Sequence, residues 1–396
     1  MKKLLIVDDD LDMCLLLNLY LTREGFKVSE AHSSKEALSN IGYNPPDLVV
    51  CDIRLQDMDG ISLMKIVKDN SPNIPFVFIT AYDDIKTSSN AFSSGALAYI
   101  TKPLFPEEVA LSIKKILNKA TIGHPFIKPT YEEDTNNLQH LVFGNSDISG
   151  KINYQINLIA PTNNRVIIQG EKGTGKEAIA REIHRRSHRA NKPFVVFKTR
   201  NFADNITAAD LLLLVKNYIE NAQSGTLYID EMADLPEEVL LVFLNCMNEK
   251  HMKKTGNSED SKLDIRFMAA SSENLWHAKQ NSKLLEDLYL RLNDFSIEVM
   301  PLRHRKEDIM VFANYFLGIA NTATGKHIKG FKPEVEIILK NQQWKENLSE
   351  LKTLVYKVVL LTTTEFVEIS ALSKEFYQAV KEELAPNSGR SRSVFN

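Results

Sequence analysis

The sequence predicts two successive α/β domains with parallel sheets, the second continuing into a helical segment. Three observations carry that expectation. Strand-sized apolar runs alternate with helix-period segments from Leu4 to Lys119, a second alternation runs from Leu141 to about Arg305, and a mostly helical pattern extends from Lys306 to Glu383. Strands that alternate with helices form parallel sheets covered on both faces. The chain has 396 residues, 43% of them apolar, enough for two or three domains of roughly 100–200 residues each.

Bulk composition narrows the function classes. Lys and Arg number 48 against 51 Asp and Glu, a formal charge of −3, so no global field favours nucleic acid or an anionic membrane. Cys14, Cys51 and Cys246 share no metal-ligand spacing, as expected of buried thiols in a reducing compartment. No run approaches the ~20 continuous apolar residues of a membrane helix, and Met1-Lys2-Lys3 leads directly into a strand. A cytoplasmic protein without a membrane partner is expected.

In the first domain the strand candidates are Leu4–Val7, Lys27–Ala31, Leu48–Cys51, Phe76–Ile79 and Ala98–Ile100. Ligands of such sheets gather at the carboxyl ends of the strands. There stand Asp8, Asp9 and Asp10 after the first run, Asp52 after the third, Thr80 after the fourth and Lys102 after the fifth. Clustered carboxylates repel one another unless a hard cation lies among them, and oxygen donors suit Mg²⁺. A carboxylate can attack a phosphoryl group while metal and ammonium stabilise the transferring oxygens. Asp52 is the expected nucleophile and Lys102 the expected phosphate partner. Asp10 and Asp12 read more simply as turn and helix-cap residues.

The segments "LLIVDDD", "DLVVCDIRLQDMDG", "FITAY" and "AYITKP" resemble those of the response-regulator receiver family, with its flavodoxin-like (βα)5 sheet. The resemblance implies direct Mg²⁺ binding by Asp9 and Asp52 with the carbonyl of Arg54, and a water-mediated role for Asp8. It implies that Thr80 and Tyr99 form the switch pair, that Lys102-Pro103 has a cis bond, and that the surface around Asp83–Lys115 mediates dimerisation. A histidine kinase or phosphotransfer protein is the implied phosphodonor.

In the second domain the apolar run Val166-Ile167-Ile168 leads to Gly170-Glu171-Lys172-Gly173-Thr174-Gly175-Lys176, and then to a helical pattern over Glu177–Arg186. Glycines let backbone amides approach phosphate oxygens, a helix N-terminus favours anions, and Lys176 would reach the β- and γ-phosphates. Glu177 replaces the Ser/Thr of the general pattern. Alone, the loop competes with a chance glycine-rich turn. It is not alone, because Leu227-Tyr228-Ile229-Asp230-Glu231 ends a second buried run with the acidic pair that holds Mg²⁺ and polarises water in such sites. ATP or ADP is the expected ligand.

"VFGNS", "GEKGTGKE", "GTLYIDEMADLP", "EDLYLRLNDFSIEVMPLRHRKEDI" and "WKENLSEL" resemble, in that order, the AAA+ domain of nitrogen-regulator-type sigma-54 activators, where Glu177 is normal. The resemblance implies an adenine pocket near Gly144-Asn145-Ser146, Glu231 as the catalytic carboxylate and Arg291 as an arginine finger for a neighbouring subunit. It also exposes departures. No GAFTGA motif lies between Lys198 and Asp230, Leu285 stands at a second arginine-finger position, Ser349 replaces the sensor arginine, and Lys198 replaces an asparagine. Ser271-Ser272 stands for Thr-Asn. Serine cannot replace a guanidinium fork over a phosphoryl group.

The expected organisation is a receiver over 1–120, a linker over 121–139, an AAA+ α/β subdomain over 140–305, a helical lid over 306–383 and a disordered tail over 384–396. Thirteen residues after Glu383 leave no room for the family's helix-turn-helix, so direct DNA binding is not expected; nor is sigma-54 contact. The basic run from Arg181 to Lys192 reads as a solvated or subunit-facing helix surface. Trp276 and Trp344 read as packing residues. The overall expectation is a response regulator phosphorylated on Asp52. It would control a degenerate ATP-binding module that acts by protein interaction as a homodimer or AAA+ oligomer, with ATPase activity weak or absent. The alternative is an ATP-hydrolysing sigma-54-dependent transcription activator.

Overall fold

A computed structural model describes residues 1–80, 98–101, 106–119, 141–198, 208–248, 251–253, 260–272 and 282–372. Lys102, the 121–139 and 384–396 segments, Trp276, the stretch between Lys198 and Ala208, and the side chains of Thr80 and Tyr99 lie outside the described residues.

The first domain contains β1 (Lys3–Val7), α1 (Leu11–Arg23), β2 (Lys27–Ala31), α2 (Ser34–Tyr43), β3 (Leu48–Asp52), α3 (Gly60–Asn70), β4 (Phe76–Thr80), β5 (Ala98–Thr101) and α4 (Pro106–Lys119). Its sheet has the order β2-β1-β3-β4-β5, every described pair parallel. All of β3 and most of β1 are closed to solvent, as a sheet covered on both faces requires. Short polar side chains set the helix starts. The Asp10 carboxylate accepts from the Met13 amide, Ser33 caps α2 and Asp59 caps α3, each satisfying an amide that the first helical turn leaves unpaired. Gly60 is dictated by space, since a Cβ there would lie 2.3 Å from the carbonyl oxygen of Asp52.

The second domain contains α5 (Asp147–Ile159), β6 (Val166–Gln169), α6 (Lys176–Arg185), β7 (Phe194–Lys198), α7 (Ala208–Asn221), β8 (Thr226–Asp230), α8 (Glu237–Asn248), β9 (His251–Lys253), β10 (Asp260–Lys262), β11 (Arg266–Ser271), α9 (Lys283–Leu292) and β12 (Phe295–Glu298). Its parallel sheet runs β12-β6-β11-β8-β7. The strand carrying the phosphate loop and the one ending in Asp230 therefore flank β11. The carboxyl ends of all three face one site.

Helices α10 (Lys306–Thr324), α11 (Pro333–Asn341) and α12 (Asn347–Leu361) follow around buried Trp344, whose indole donates to the Leu339 carbonyl at 2.9 Å. The first domain rests on these helices through α1. Arg23 donates to the carbonyls of Thr322 and Ala323 at the end of α10, where the helix dipole favours a cation, and Lys357 pairs with Asp10 at 3.0 Å.

The basic run from Arg181 to Lys192 is partly solvated, with several of its cations also held in ion pairs. Arg185 and Arg186 pair with Glu182 at 2.6 Å, Arg181 with Glu177 at 2.9 Å, Arg189 with Asp264, and His184 is buried. Glu177 and Glu182 of the same helix take three of these cations, and Asp264 from a distant segment takes the fourth.

Candidate functional site

At the carboxyl edge of the first sheet the carboxylate oxygens of Asp8, Asp9 and Asp52 lie within 4.8 Å of one another. Asp8 is fully buried and Asp52 nearly so. The Asp10 amide donates to Asp8 Oδ1 at 2.9 Å and the Arg54 amide to Asp52 Oδ1 at 3.1 Å. Three carboxylates at this separation are mutually repulsive, and their all-oxygen donor set fits a hard divalent cation. Cys14 and Cys51, behind the cluster, are inert packing groups: burial, then nearby carboxylates, pushes Cys14 up to about 12 and Cys51 well above the usual thiol range. The backbone brings Thr80 beside Thr101 in the β4–β5 register, one residue before Lys102 in sequence.

In the second domain β6 delivers the chain into the loop Gly170–Gly175, and α6 begins at Lys176. Gly173 and Gly175 have φ of +74° and +97°, conformations that glycine adopts without strain. Lys176 Nζ donates to the carbonyls of Gly170 and Glu171 at 2.7 and 3.2 Å and meets Glu231 Oε1 at 3.1 Å. Glu231 itself has φ of +48° and accepts from the Ser272 amide at 2.7 Å. Burial raises its pKa, but Lys176 and the Ser272 amide outweigh burial and hold the carboxyl below its usual range.

The helical segment closes over this loop. The Leu348 amide donates to the Gly173 carbonyl at 2.9 Å. A Cβ on Gly173 would come within 2.1 Å of the Glu346 carbonyl oxygen and 3.0 Å of Ser349 Oγ, so Ser349 stands directly over the loop. Beside it, Val142, Phe143, Thr174, Ile179, Arg305 and Phe312 line a small, largely apolar cleft. Ser146, by contrast, is occupied as the cap of α5.

The sequence matches the response regulator receiver domain over residues 4–114, the Sigma-54 interaction domain over 142–298 and the AAA+ ATPase lid domain over 303–388. It is 32% identical to the transcriptional regulatory protein ZraR of Klebsiella oxytoca over 376 residues, 92% of this chain and 84% of that protein. The chain belongs to this family of response regulators. Within it, the DNA-binding transcriptional regulator NtrC of Klebsiella pneumoniae is 29% identical over 94% of this chain and 81% of its own length. Among solved structures, NtrX from Brucella abortus in complex with ATP has a TM-score of 0.56 and 28% identity, covering 99% of this chain and 88% of its own; its complex with ADP has a TM-score of 0.55. This regulator is thus a phosphorelay receiver fused to a sigma-54 activator-type AAA+ domain with a helical lid. Among the described residues, no helix is long and apolar enough to cross a membrane.

Several residues that tie the AAA+ domain to its lid escaped the sequence reading. Buried Asn347, at φ +55°, donates to Glu171 Oε2 and to the Lys172 carbonyl and accepts from the Leu302 amide. Arg303 grips Glu171 with two nitrogens, and Arg305 donates to the Thr174 carbonyl at 3.0 Å. Asp308 accepts from the Ser146 amide, the Ser146 hydroxyl and the Ser149 hydroxyl at 2.6–2.7 Å. The sequence signal of Arg303, Arg305 and Asp308 is the polar string "LRHRKED" at the start of a helix. Nothing in it names the distant partners. Leu285 is buried in the core, while Arg291 is exposed on the last turn of α9 and has no ion pair among the described residues.

Proposed function

We propose that phosphorylation of Asp52 controls an ATP- or ADP-binding module that acts by protein contact and turns ATP over slowly or not at all. The observation that carries this reading is Ser349 standing over Gly173, where a guanidinium would otherwise reach the phosphate chain. Buried Leu285, at the second arginine-finger position, supports it. The proposal keeps the domain organisation expected from the sequence: a receiver over 1–120, a linker over 121–139, an AAA+ α/β subdomain over 140–305 and a lid over 306–383.

In the receiver, Asp8, Asp9, Asp52 and the Arg54 carbonyl hold Mg²⁺, which screens the carboxylates when bound. Asp52 attacks the phosphodonor, Lys102 steadies the phosphate, and Thr80 and Tyr99 relay the change. In the AAA+ domain, the amides of Gly170–Gly175 with Glu171, Lys172 and Thr174 cradle the phosphates, and Lys176 reaches them. Glu177 and Asp230 border the site, Glu231 orients water, and Arg291 faces a neighbouring subunit. A histidine kinase or phosphotransfer protein supplies the phosphoryl group in the cytoplasm, and the active form is a homodimer or larger ring.

The test is incubation of the full chain with acetyl phosphate and Mg²⁺, followed by ATP turnover and oligomer size. Asp52→Asn abolishes phosphorylation, and wild-type turnover stays low on either side of it. Brisk, phosphorylation-stimulated hydrolysis by a ring sinks the reading. It would favour the alternative of an ATP-hydrolysing sigma-54-dependent activator, which the Sigma-54 interaction domain match supports. Co-purification with sigma-54 in the presence of an ATP transition-state mimic separates the two.

A further inference from the structure

Helix α12 begins over the phosphate loop, where the Leu348 amide donates to the Gly173 carbonyl. About 14 Å further along the helix it presents Lys357 to the receiver, with Nζ 3.0 Å from Asp10 Oδ2. Asp10 is a bridge. Its other carboxylate oxygen accepts from the Met13 amide at 3.1 Å, and its own amide donates to Asp8 Oδ1 at 2.9 Å. Asp8 is one of the three clustered carboxylates of the receiver, so a single residue joins the lid to the acidic pocket.

The contact belongs to a wider seam. Helix α1 packs on α10 and α12, its Met13 and Leu16 lie in one buried apolar cluster with Phe316 and Val358 of the lid, and Arg23, at its far end, donates to the Ala323 carbonyl at 2.9 Å. Apolar burial supplies the attachment. The side chains of Lys357 and Asp10 are 31% and 38% exposed, and an ion pair that open to water stabilises little. Its consequence is for the charges beside it. Two hydrogen bonds and one side chain separate Lys357 from Asp8, which keeps the ammonium within about 10 Å of the pocket, the range over which charges interact at 0.1 M salt. A divalent cation held by the pocket meets that positive charge.

We propose that the lid sets the metal affinity of the receiver. Lys357 lowers the affinity of Asp8, Asp9 and Asp52 for Mg²⁺, and Mg²⁺ in turn loosens the hold of Lys357 on Asp10, because linkage between two sites is reciprocal. The inference rests on the Mg²⁺ reading of these carboxylates given above. Both cations draw on the same carboxylate field, the ammonium from a different domain.

The experiment is calorimetric titration of the nucleotide-free full chain with Mg²⁺, with thermal melts confirming that each variant is folded and Asp9→Asn identifying the binding event of the pocket. Lys357→Met is expected to bind Mg²⁺ about threefold more tightly than wild type and Lys357→Glu more tightly still, the scale of one partly screened charge. Lys357→Arg keeps the wild-type affinity. Raising KCl to about 0.5 M shrinks the differences, as screening requires. Met and Glu variants with the wild-type affinity at low salt overturn the proposal while leaving the Mg²⁺ reading intact. So does a difference that high salt fails to reduce. A wild-type chain that takes up no Mg²⁺ and is indistinguishable from Asp9→Asn overturns the Mg²⁺ reading and this proposal with it.

Discussion

Lys176 and Glu231 meet across the phosphate loop at 3.1 Å, each side chain only 6% exposed. Without nucleotide, the carboxylate neutralises the cation that a phosphate chain would claim. Removing one member of a buried pair leaves the other uncompensated, typically at a cost of roughly 3–5 kcal/mol. Lys176→Met is therefore expected to lower the unfolding free energy by about 3 kcal/mol and to abolish stabilisation by an ATP analogue. Glu231→Gln keeps an acceptor for the Ser272 amide, so it should lose less and retain that stabilisation. Urea unfolding with and without the analogue reads both outcomes.

Ser349 over Gly173 leads to a gain-of-function expectation. An arginine there reaches the loop from α12 and offers the fork that serine lacks. Ser349→Arg is expected to raise ATP turnover about tenfold or more, given that arginine fingers elsewhere are worth ~10³–10⁵. Steady-state phosphate release measures this. Unchanged turnover would mean that another departure, such as Leu285, sets the limit.

Asp308 fastens the lid to α5 with three short hydrogen bonds, wholly out of solvent. Hydrogen bonds to a charged group contribute about 1.5–3 kcal/mol each, and a buried donor left without a partner costs more than a solvated one. Asp308→Ala is expected to cost about 3 kcal/mol or more, with Asp308→Asn restoring part of it. Gly144→Ala should also destabilise, since its Cβ would fall 2.0 Å from the Asp308 carboxylate. Equilibrium denaturation followed by circular dichroism tests all three.

His184 gives the molecule an acid sensitivity. Its ring lies between the Thr226 hydroxyl at 2.9 Å and the Lys192 carbonyl at 3.1 Å, and burial, aided by Arg266, Arg181 and Arg189, lowers its pKa from 6.5 to about 4. The native state thus binds fewer protons than the unfolded chain between those values, so stability is fully present above pH 6.5 and drains away as pH falls toward 4. The loss amounts to roughly 2–3 kcal/mol. His184→Gln should flatten this part of the stability–pH curve. An unaltered slope would assign the acid loss to the carboxylates.

The first domain was largely legible because its chemistry is written at strand ends. A period-two or fully apolar run fixes where a strand stops, and the residue after it must lie at the carboxyl edge. That logic places Asp8, Asp9 and Asp52 together before any coordinates exist. The phosphate loop was legible for the same reason, since Gly173 and Gly175 at positive φ leave a sequence signature. The cap at Asp10 was also readable, from short-range hydrogen bonding.

The lid contacts and the fate of the charges were not legible. Nothing local tells that Asp308 reaches Ser146 across 162 residues, that Asn347 holds both Glu171 and Leu302, or that Lys198 pairs with Glu177. Hydrogen bonds and ion pairs are short-ranged and indifferent to sequence separation, so their partners depend on how the layers stack. The sequence by itself determined the two sheets, their reactive edges and the family. Only the tertiary structure decided which cation meets which carboxylate, because burial and a few ångströms separate a solvated charge from a paired one.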